Sequence, residues 1–235
     1  MVRAITNVVL RQLGKDLWVA ERPQRFWGLE VGARMTVMRL ADGSLLLHSA
    51  FALDEPLRRE LDALGPVRFV VAPNRFHHLH AGEVAQVYPE SRLWVAPTLL
   101  DKRPDLRPVA VLDDVAPDEW KKDVSQLFFR GRPMENEVVF FHHASRTLVM
   151  CDLAMNFGPS APVVTRAVMT VMGGYGHFRP TRLDPWLIKD RPAARRCMEQ
   201  ILDWDFDRIV IAHGDVLETG GRETLRDGYR WLLSG

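Results

Sequence analysis

Apolar and polar positions alternate most clearly at the head of the chain. "DLWVAERP" (16–23), "ARMTVMRL" (33–40) and "SLLLHSAF" (44–51) each predict a strand, and in the second Met35 and Val37 alternate with Thr36 and Met38. Asp42-Gly43, between the last two, is a strong short hairpin signal. The period then changes. In "LDEPLRRELDALG" (53–65), Leu57, Leu61 and Leu64 share one helical face, with Asp54 as a plausible N-cap, Pro56 in the first turn and Gly65 as terminator. "VRFVVA" (67–72) reads as a buried strand closed by Pro73, "AGEVAQVY" (81–88) as a short helix and "RLWVA" (92–96) as the next strand.

The second half is less regular. Residues 101–134 hold four prolines and charges of both signs, which predicts irregular structure. "NEVVFFHHASRTLVMCD" (136–152) predicts two strands joined by a turn at "HHAS". Residues 155–189 are rich in Gly and Pro, and loops of such length are usually functional or mobile. The chain closes with a helix near 190–203, a strand "RIVIA" that runs into His213-Gly214, and a helix near 222–233. A strand-rich opening followed by strands alternating with helices predicts an α/β protein with helices packed on sheets. No linker composition divides residues 1–235, so a single domain is expected.

Composition narrows the function classes. Lys plus Arg is 31 against 30 Asp plus Glu, a net charge of +1, which argues against a surface built to grip nucleic acid. No apolar run approaches the roughly 18 residues of a membrane span, and the N-terminus lacks the apolar core of a secretory signal. Cys151 and Cys197 are too few for a disulfide scaffold. A soluble, cytoplasmic protein with a small-molecule substrate, and with no membrane or nucleic-acid partner, is the expectation; oligomeric state is not legible.

Chemistry-bearing residues gather at strand ends: His48 in "LLLHSA", His77, His78 and His80 in "PNRFHHLH", Asp152 in "LVMCD" and His213 in "IVIAHG". In layered α/β folds such ends converge on a crevice. Imidazoles with a carboxylate are ligands for zinc first, and for iron or manganese as alternatives. If the turn after Arg75 is helical, His77 and His80 share a face; if it is extended, His78 and His80 do.

The order strand, His-rich turn, helix, then strand–Asp, then strand–His-Gly resembles the metallo-β-lactamase superfamily. "LGPVRFVVAPNRFHHLHAGEVAQVYPESRLWVAP" is similar to the region of that family's His-x-His-x-Asp-His pattern. "SRTLVMCDLAMN" is similar to the strand of its bridging aspartate, and "RIVIAHGD" to the strand of its last histidine. More narrowly, "APNRFHHL", "NEVVFFHHASRTL" and "IVIAHGD" resemble a branch described only as a domain of unknown function. The resemblance implies an αββα sandwich of two mixed sheets flanked by helices, with a metal at the sheet edge. It is weakest over 100–135 and 155–190. Without gaps, Asn74 and Phe76 stand at the first two histidine positions, His78 at the aspartate and Leu79 at the last histidine; Arg132-Pro133 falls where a further Gly-His is usual. Asp152 and His213 alone match residue by residue.

The resulting expectation is an atypical metal site drawn from His77, His78, His80, Asp152 and His213, with Asp152 as catalytic carboxylate and His48, Asn74 and His177 as supporting candidates. It implies a metal-dependent hydrolase with metal-bound hydroxide as nucleophile. Two rivals stand beside it, a metal-free binding or scaffold protein and a non-hydrolytic di-iron or redox protein. Plainer readings also exist: histidines of a solvated loop, a hydrogen-bonded buried Asp152, and a strand terminus at His213. His142 and His143, at a hairpin turn, are read as remote from the metal edge, and Cys151 as core, opposite in direction to Asp152. "GGYGHFRP" (173–180) is a possible substrate loop carrying His177. Residues 179–196 hold six Lys or Arg against Asp184 and Asp190, either a solvated helix face or an attraction for an anionic substrate.

Overall fold

The strands at the head of the chain are apolar on both faces, which places their sheet between two other layers. A computed structural model describes residues 9–234. β1 (Arg11–Gly14) and β2 (Leu17–Arg22) form a hairpin, a small separate hairpin follows as β3 (Arg25–Phe26) and β4 (Leu29–Glu30), and β5 (Ala33–Arg39) and β6 (Leu45–His48) pair across the Asp42-Gly43 turn. Next come α1 (Glu55–Leu64), β7 (Val67–Ala72), α2 (Ala81–Val87), β8 (Arg92–Val95), α3 (Leu99–Lys102) and β9 (Ala110–Val111). These strands make a mixed sheet in the order β1-β2-β5-β6-β7-β8-β9, parallel from β6 onward. α1 begins as expected, the Asp54 carboxylate accepting from the Leu57 amide at 3.0 Å.

The second sheet has the order β10 (Val124–Phe128), β11 (Val138–His142), β12 (Thr147–Val149) and β13 (Arg208–Val210), with the last pair parallel. Between β12 and β13 lie α4 (Val163–Met172), α5 (Asp184–Leu187) and α6 (Arg191–Leu202); α7 (Gly221–Gly228) and α8 (Arg230–Leu233) follow β13. Residues 101–134 are therefore not wholly irregular: they hold β10 and the fully buried Trp120, whose indole donates to Gln126 Oε1 at 3.2 Å. Likewise residues 155–189 contain α4 and α5, and the expected final helix is two shorter ones.

Three apolar layers follow from the period-two pattern. Leu17, Val19, Met38, Leu46, Phe69, Val71 and Trp94 meet Val138, Phe140, Val149 and Val210 between the sheets. Their neighbours Trp18, Met35, Val37, Leu47 and Val70 turn outward to α1 and α2. Val139, Phe141, Leu148, Ile209 and Ile211 face α6, α7 and α8 on the other side. The result is helix, sheet, sheet, helix. Burying these side chains is the main favourable term, about 1.5–3 kcal/mol for each large apolar residue.

Candidate metal centre

Three chain segments leave the ends of β7, β12 and β13 toward one edge. After β7, the buried Asn74 fixes the turn: its side-chain oxygen accepts from the amides of Phe76 and His77, both at 2.8 Å. Its amide nitrogen donates to Glu137 Oε2 at 3.0 Å and to Asp152 Oδ2 at 2.7 Å. The turn is thus neither helical nor extended before α2, which is the physical reason that neither sequence-level pairing of the three histidines forms. Behind Asp152, the buried Glu137 carboxylate accepts from the amides of Cys151 (2.6 Å) and Asp152 (2.8 Å). Arg132, at the position where the resembled pattern has Gly-His, donates to the Asp152 carbonyl at 3.0 Å. It is ion-paired with Glu135 at 2.9 Å and with Asp184 at 2.8 Å, all three side chains buried.

His213 follows β13. The next residue, Gly214, has φ +84°, and a Cβ there would stand 2.3 Å from the Asn156 carbonyl oxygen, so only glycine fits. The Asp215 amide donates to that same carbonyl at 2.6 Å. The buried Arg34 guanidinium donates to the carbonyls of Ile211 and, at 2.6 Å, Gly214, and it pairs with Glu21 at 2.8 Å. It therefore pins both flanks of His213 to β5.

The outcome is one cluster of His77, Asp152 and His213, whose candidate ligand atoms lie within 4.8 Å of one another. His77 Nε2 is 3.4 Å from Asp152 Oδ2, and His213 Nε2 is 3.6 Å from Asp152 Oδ1. The imidazole centroids are 5.0 Å apart. All three side chains keep some exposure, 10%, 13% and 16% in chain order, so the cluster is reachable from solvent. The His213 Nδ1–H donates to the Gly32 carbonyl at 2.7 Å, which leaves Nε2 a bare lone pair aimed at Asp152. His77 Nδ1 lies 2.8 Å from the Ser49 hydroxyl, at a residue whose φ of +57° is left-handed. Such backbone strain, about 1–3 kcal/mol, concentrates at functional sites.

Burial and the neighbouring His77 charge push the His213 pKa down to about 4, against the pull of Asp152. Burial would also lower His77, but the Asp152 charge and hydrogen bond, with Glu137 behind, raise it. Burial opposes ionisation of Asp152, yet His77, His213 and Arg132 hold it well below the usual carboxylate range. Burial and the Asp152 charge raise Glu137. Metal-free, the cluster is one lone pair on His213 and the Asp152 carboxylate, with the protonated form of His77 favoured beside them.

Other candidates lie elsewhere. His78 is buried with Nδ1 at 3.0 Å from Arg103, and burial plus the Lys102 and Arg103 charges push its pKa down to about 4. His80 pairs with Glu83 at 2.8 Å. His48 packs edge-on against Phe140 between the sheets, and burial and His77 push its pKa down to about 3. His177 is exposed, and its loop is tied to the segment after Asp152, for example by Met155 N–H to the Arg179 carbonyl at 2.9 Å. His142 ends β11, hydrogen-bonded to Ser145 at 2.7 Å, and His143 lies 2.8 Å from the Ser125 hydroxyl. Ser49, Glu137 and Arg34 escaped the sequence reading. The lone acid at the head of "EVVFF" and the serine beside His48 were the available signals.

Solved structures superpose on nearly the whole chain. A metallo-beta-lactamase from Pontibacter korlensis matches with a TM-score of 0.65 at 13% identity, covering 97% of this chain and 100% of that one. The chain has the metallo-β-lactamase fold. A second metallo-beta-lactamase of this fold, from Hirschia baltica, matches with a TM-score of 0.63 at 14% identity, over 96% and 97% of the two chains. The metallo-beta-lactamase FIM-1 from Pseudomonas aeruginosa, solved in a mono-zinc form, gives 0.61 at 11%, over 97% and 93%. A family model described as a domain of unknown function (DUF4336) matches residues 14–100. No curated protein sequence matches the chain.

Within this metallo-β-lactamase fold the donor set fits one metal ion. Two imidazoles present Nε2 while a hydrogen bond occupies the His213 Nδ1 and another reaches the His77 Nδ1, and an ionised carboxylate completes three ligands. Three protein ligands with solvent access is the pattern of an open, catalytic type of site. A second ion has no comparable donors: Asn74, Phe76 and Arg132 stand where the pattern carries imidazoles, and no other such cluster occurs among the described residues.

Proposed function

We propose that His77, Asp152 and His213 hold a single divalent cation, zinc by ligand chemistry, and that the protein is a metal-dependent hydrolase of a small molecule. One observation carries this reading. Three candidate ligand atoms, two imidazole nitrogens and a carboxylate oxygen, converge within 4.8 Å, and the His213 lone pair has no proton to offer Asp152. A divalent cation would satisfy all three at once. A bound ion of this kind supplies Lewis acidity toward a carbonyl or phosphoryl oxygen and acidifies water.

The chain's own residues do the rest. Asn74 and Glu137 hold Asp152 and the His77 turn in place, Gly32 and Arg34 fix the His213 ring and its backbone, and Ser49 orients His77. Asp152 stays ionised and carries the negative charge that a divalent cation requires. The His77 proton leaves on binding, so affinity rises with pH.

The second reading, a metal-free binding protein, is favoured by one contact: the Asn74 amide already occupies Asp152 Oδ2 at 2.7 Å. Elemental analysis of protein purified without tag or chelator, beside the Asp152→Ala, His213→Ala double variant, separates the two. One metal per chain, lost in the variant, is expected, and hydrolysis of esters, lactones and phosphodiesters is then screened for activity absent from the variant. Metal missing from both proteins after reconstitution would leave the metal-free reading.

A further inference from the structure

A cleft of about 510 Å3 is built from the segments on either side of the turn that carries His77. Its cations are Arg75, Lys102 and Lys189, and its apolar wall is Phe76, Met134 and Leu187. No Asp or Glu lines it. Among the described residues neither the Arg75 nor the Lys189 side chain has an ion-pair or hydrogen-bond partner. Lys102 reaches only a neutral group, donating to the Arg75 carbonyl at 2.8 Å, and stands 5.0 Å over the Phe76 ring. Burial, with the Arg75 and Arg103 charges, lowers its pKa. The neighbouring Arg103, by contrast, has an acid beside it, Asp105 at 2.6 Å. Here three like charges face one concave surface uncompensated, beside Met134, which is 54% exposed.

We propose that this cleft binds an organic anion, a carboxylate or phosphate head group on an apolar body, with the head on Lys102, Arg75 and Lys189 and the body on Phe76, Met134 and Leu187. An anion relieves the mutual repulsion of the three cations and accepts their charge-assisted hydrogen bonds, while the body covers apolar side chains otherwise left to water. Phe76 adjoins His77 in the chain, and Met134 and Pro133 follow Arg132, which holds Asp152. The ligand's role as substrate rests on the hydrolase reading above; its binding does not.

The test is calorimetric titration of the purified protein with octyl phosphate, octanoate and octanol, with the Met134 methyl signal as a site reporter. At least one anion is expected to bind saturably and shift that signal, octanol far more weakly, with affinity falling as salt rises. Lys102→Met and Lys189→Met should each weaken the anion by roughly tenfold, the loss of one charge-assisted contact. Which head group binds names the chemistry. The Asp152→Ala, His213→Ala variant should bind the same anion unchanged, whether or not the protein holds metal. No saturable binding by either anion, equal binding of octanol, insensitivity to salt and to both lysine variants, or loss of binding only in the Asp152/His213 variant would each overturn the proposal.

Discussion

Replacing Arg132 by Met removes the one cation that, among the described residues, pairs with two buried carboxylates. Glu135 and Asp184 are 5% and 1% exposed beside it, and burial raises the pKa of each even with the guanidinium present. Without it, each can escape by taking a proton. From ordinary carboxyl pKa values of 4.5 and 3.8, protonation near pH 7 costs at most about 3.4 and 4.4 kcal/mol. Broken buried pairs generally cost about 3–5 kcal/mol, which for a chain of this size lowers Tm by roughly 6–20 °C. The sign is fixed by linkage. A carboxylate whose folded pKa is raised binds a proton in the native state first, so the variant's deficit shrinks as pH falls, by about 1.4 kcal/mol per unit for each protonated group. Urea denaturation near pH 7 and pH 5, on wild type and variant, reads both quantities. A loss under about 1 kcal/mol, or a deficit independent of pH, would refute the assignment of this trio as a buried ionic brace under Asp152.

Three further outcomes are expected. Asn74→Ala should cost about 1–3 kcal/mol by orphaning buried amides, and weaken zinc roughly 10- to 100-fold, measured by denaturation and competition titration. Gly214→Ala should lower Tm and weaken zinc together, because a methyl group cannot sit 2.3 Å from the Asn156 oxygen without moving His213. His142 is buried and neutral, its pKa pushed down by burial to about 4 from 6.5. The unfolded chain therefore takes that proton first, and stability complete above about pH 6.5 is lost as pH falls toward 4. The loss by about pH 5 is about 2 kcal/mol, and the unfolding free energy of His142→Asn from urea denaturation should be flatter with pH by that amount.

How much was legible depended on the range of the determining contacts. The period-two runs around Met35, Leu46, Phe69 and Phe140 are local facts of sequence, and they mark both faces of both sheets. β10 was hidden because "VSQLF" is short and set among prolines and charges, and Trp120, which packs against its sheet, is distant in pattern. α4 was hidden because it starts at Pro162 with no side-chain cap. Asp152 and His213 could be placed because each ends a strand. The choice among His77, His78 and His80 could not be made, since the turn is set by Asn74 contacting Glu137 and Asp152, 63 and 78 residues away. Nothing local to "NRFHHLH" encodes those partners.

Zinc titration of the metal-free protein, set beside single alanine variants of the five candidate ligands, tests the central claim most directly. One equivalent should bind wild type, His78→Ala and His80→Ala alike, and binding should collapse in His77→Ala, Asp152→Ala and His213→Ala. Binding that survives loss of Asp152 and His213, or that vanishes with His78 or His80, would contradict the three-ligand centre.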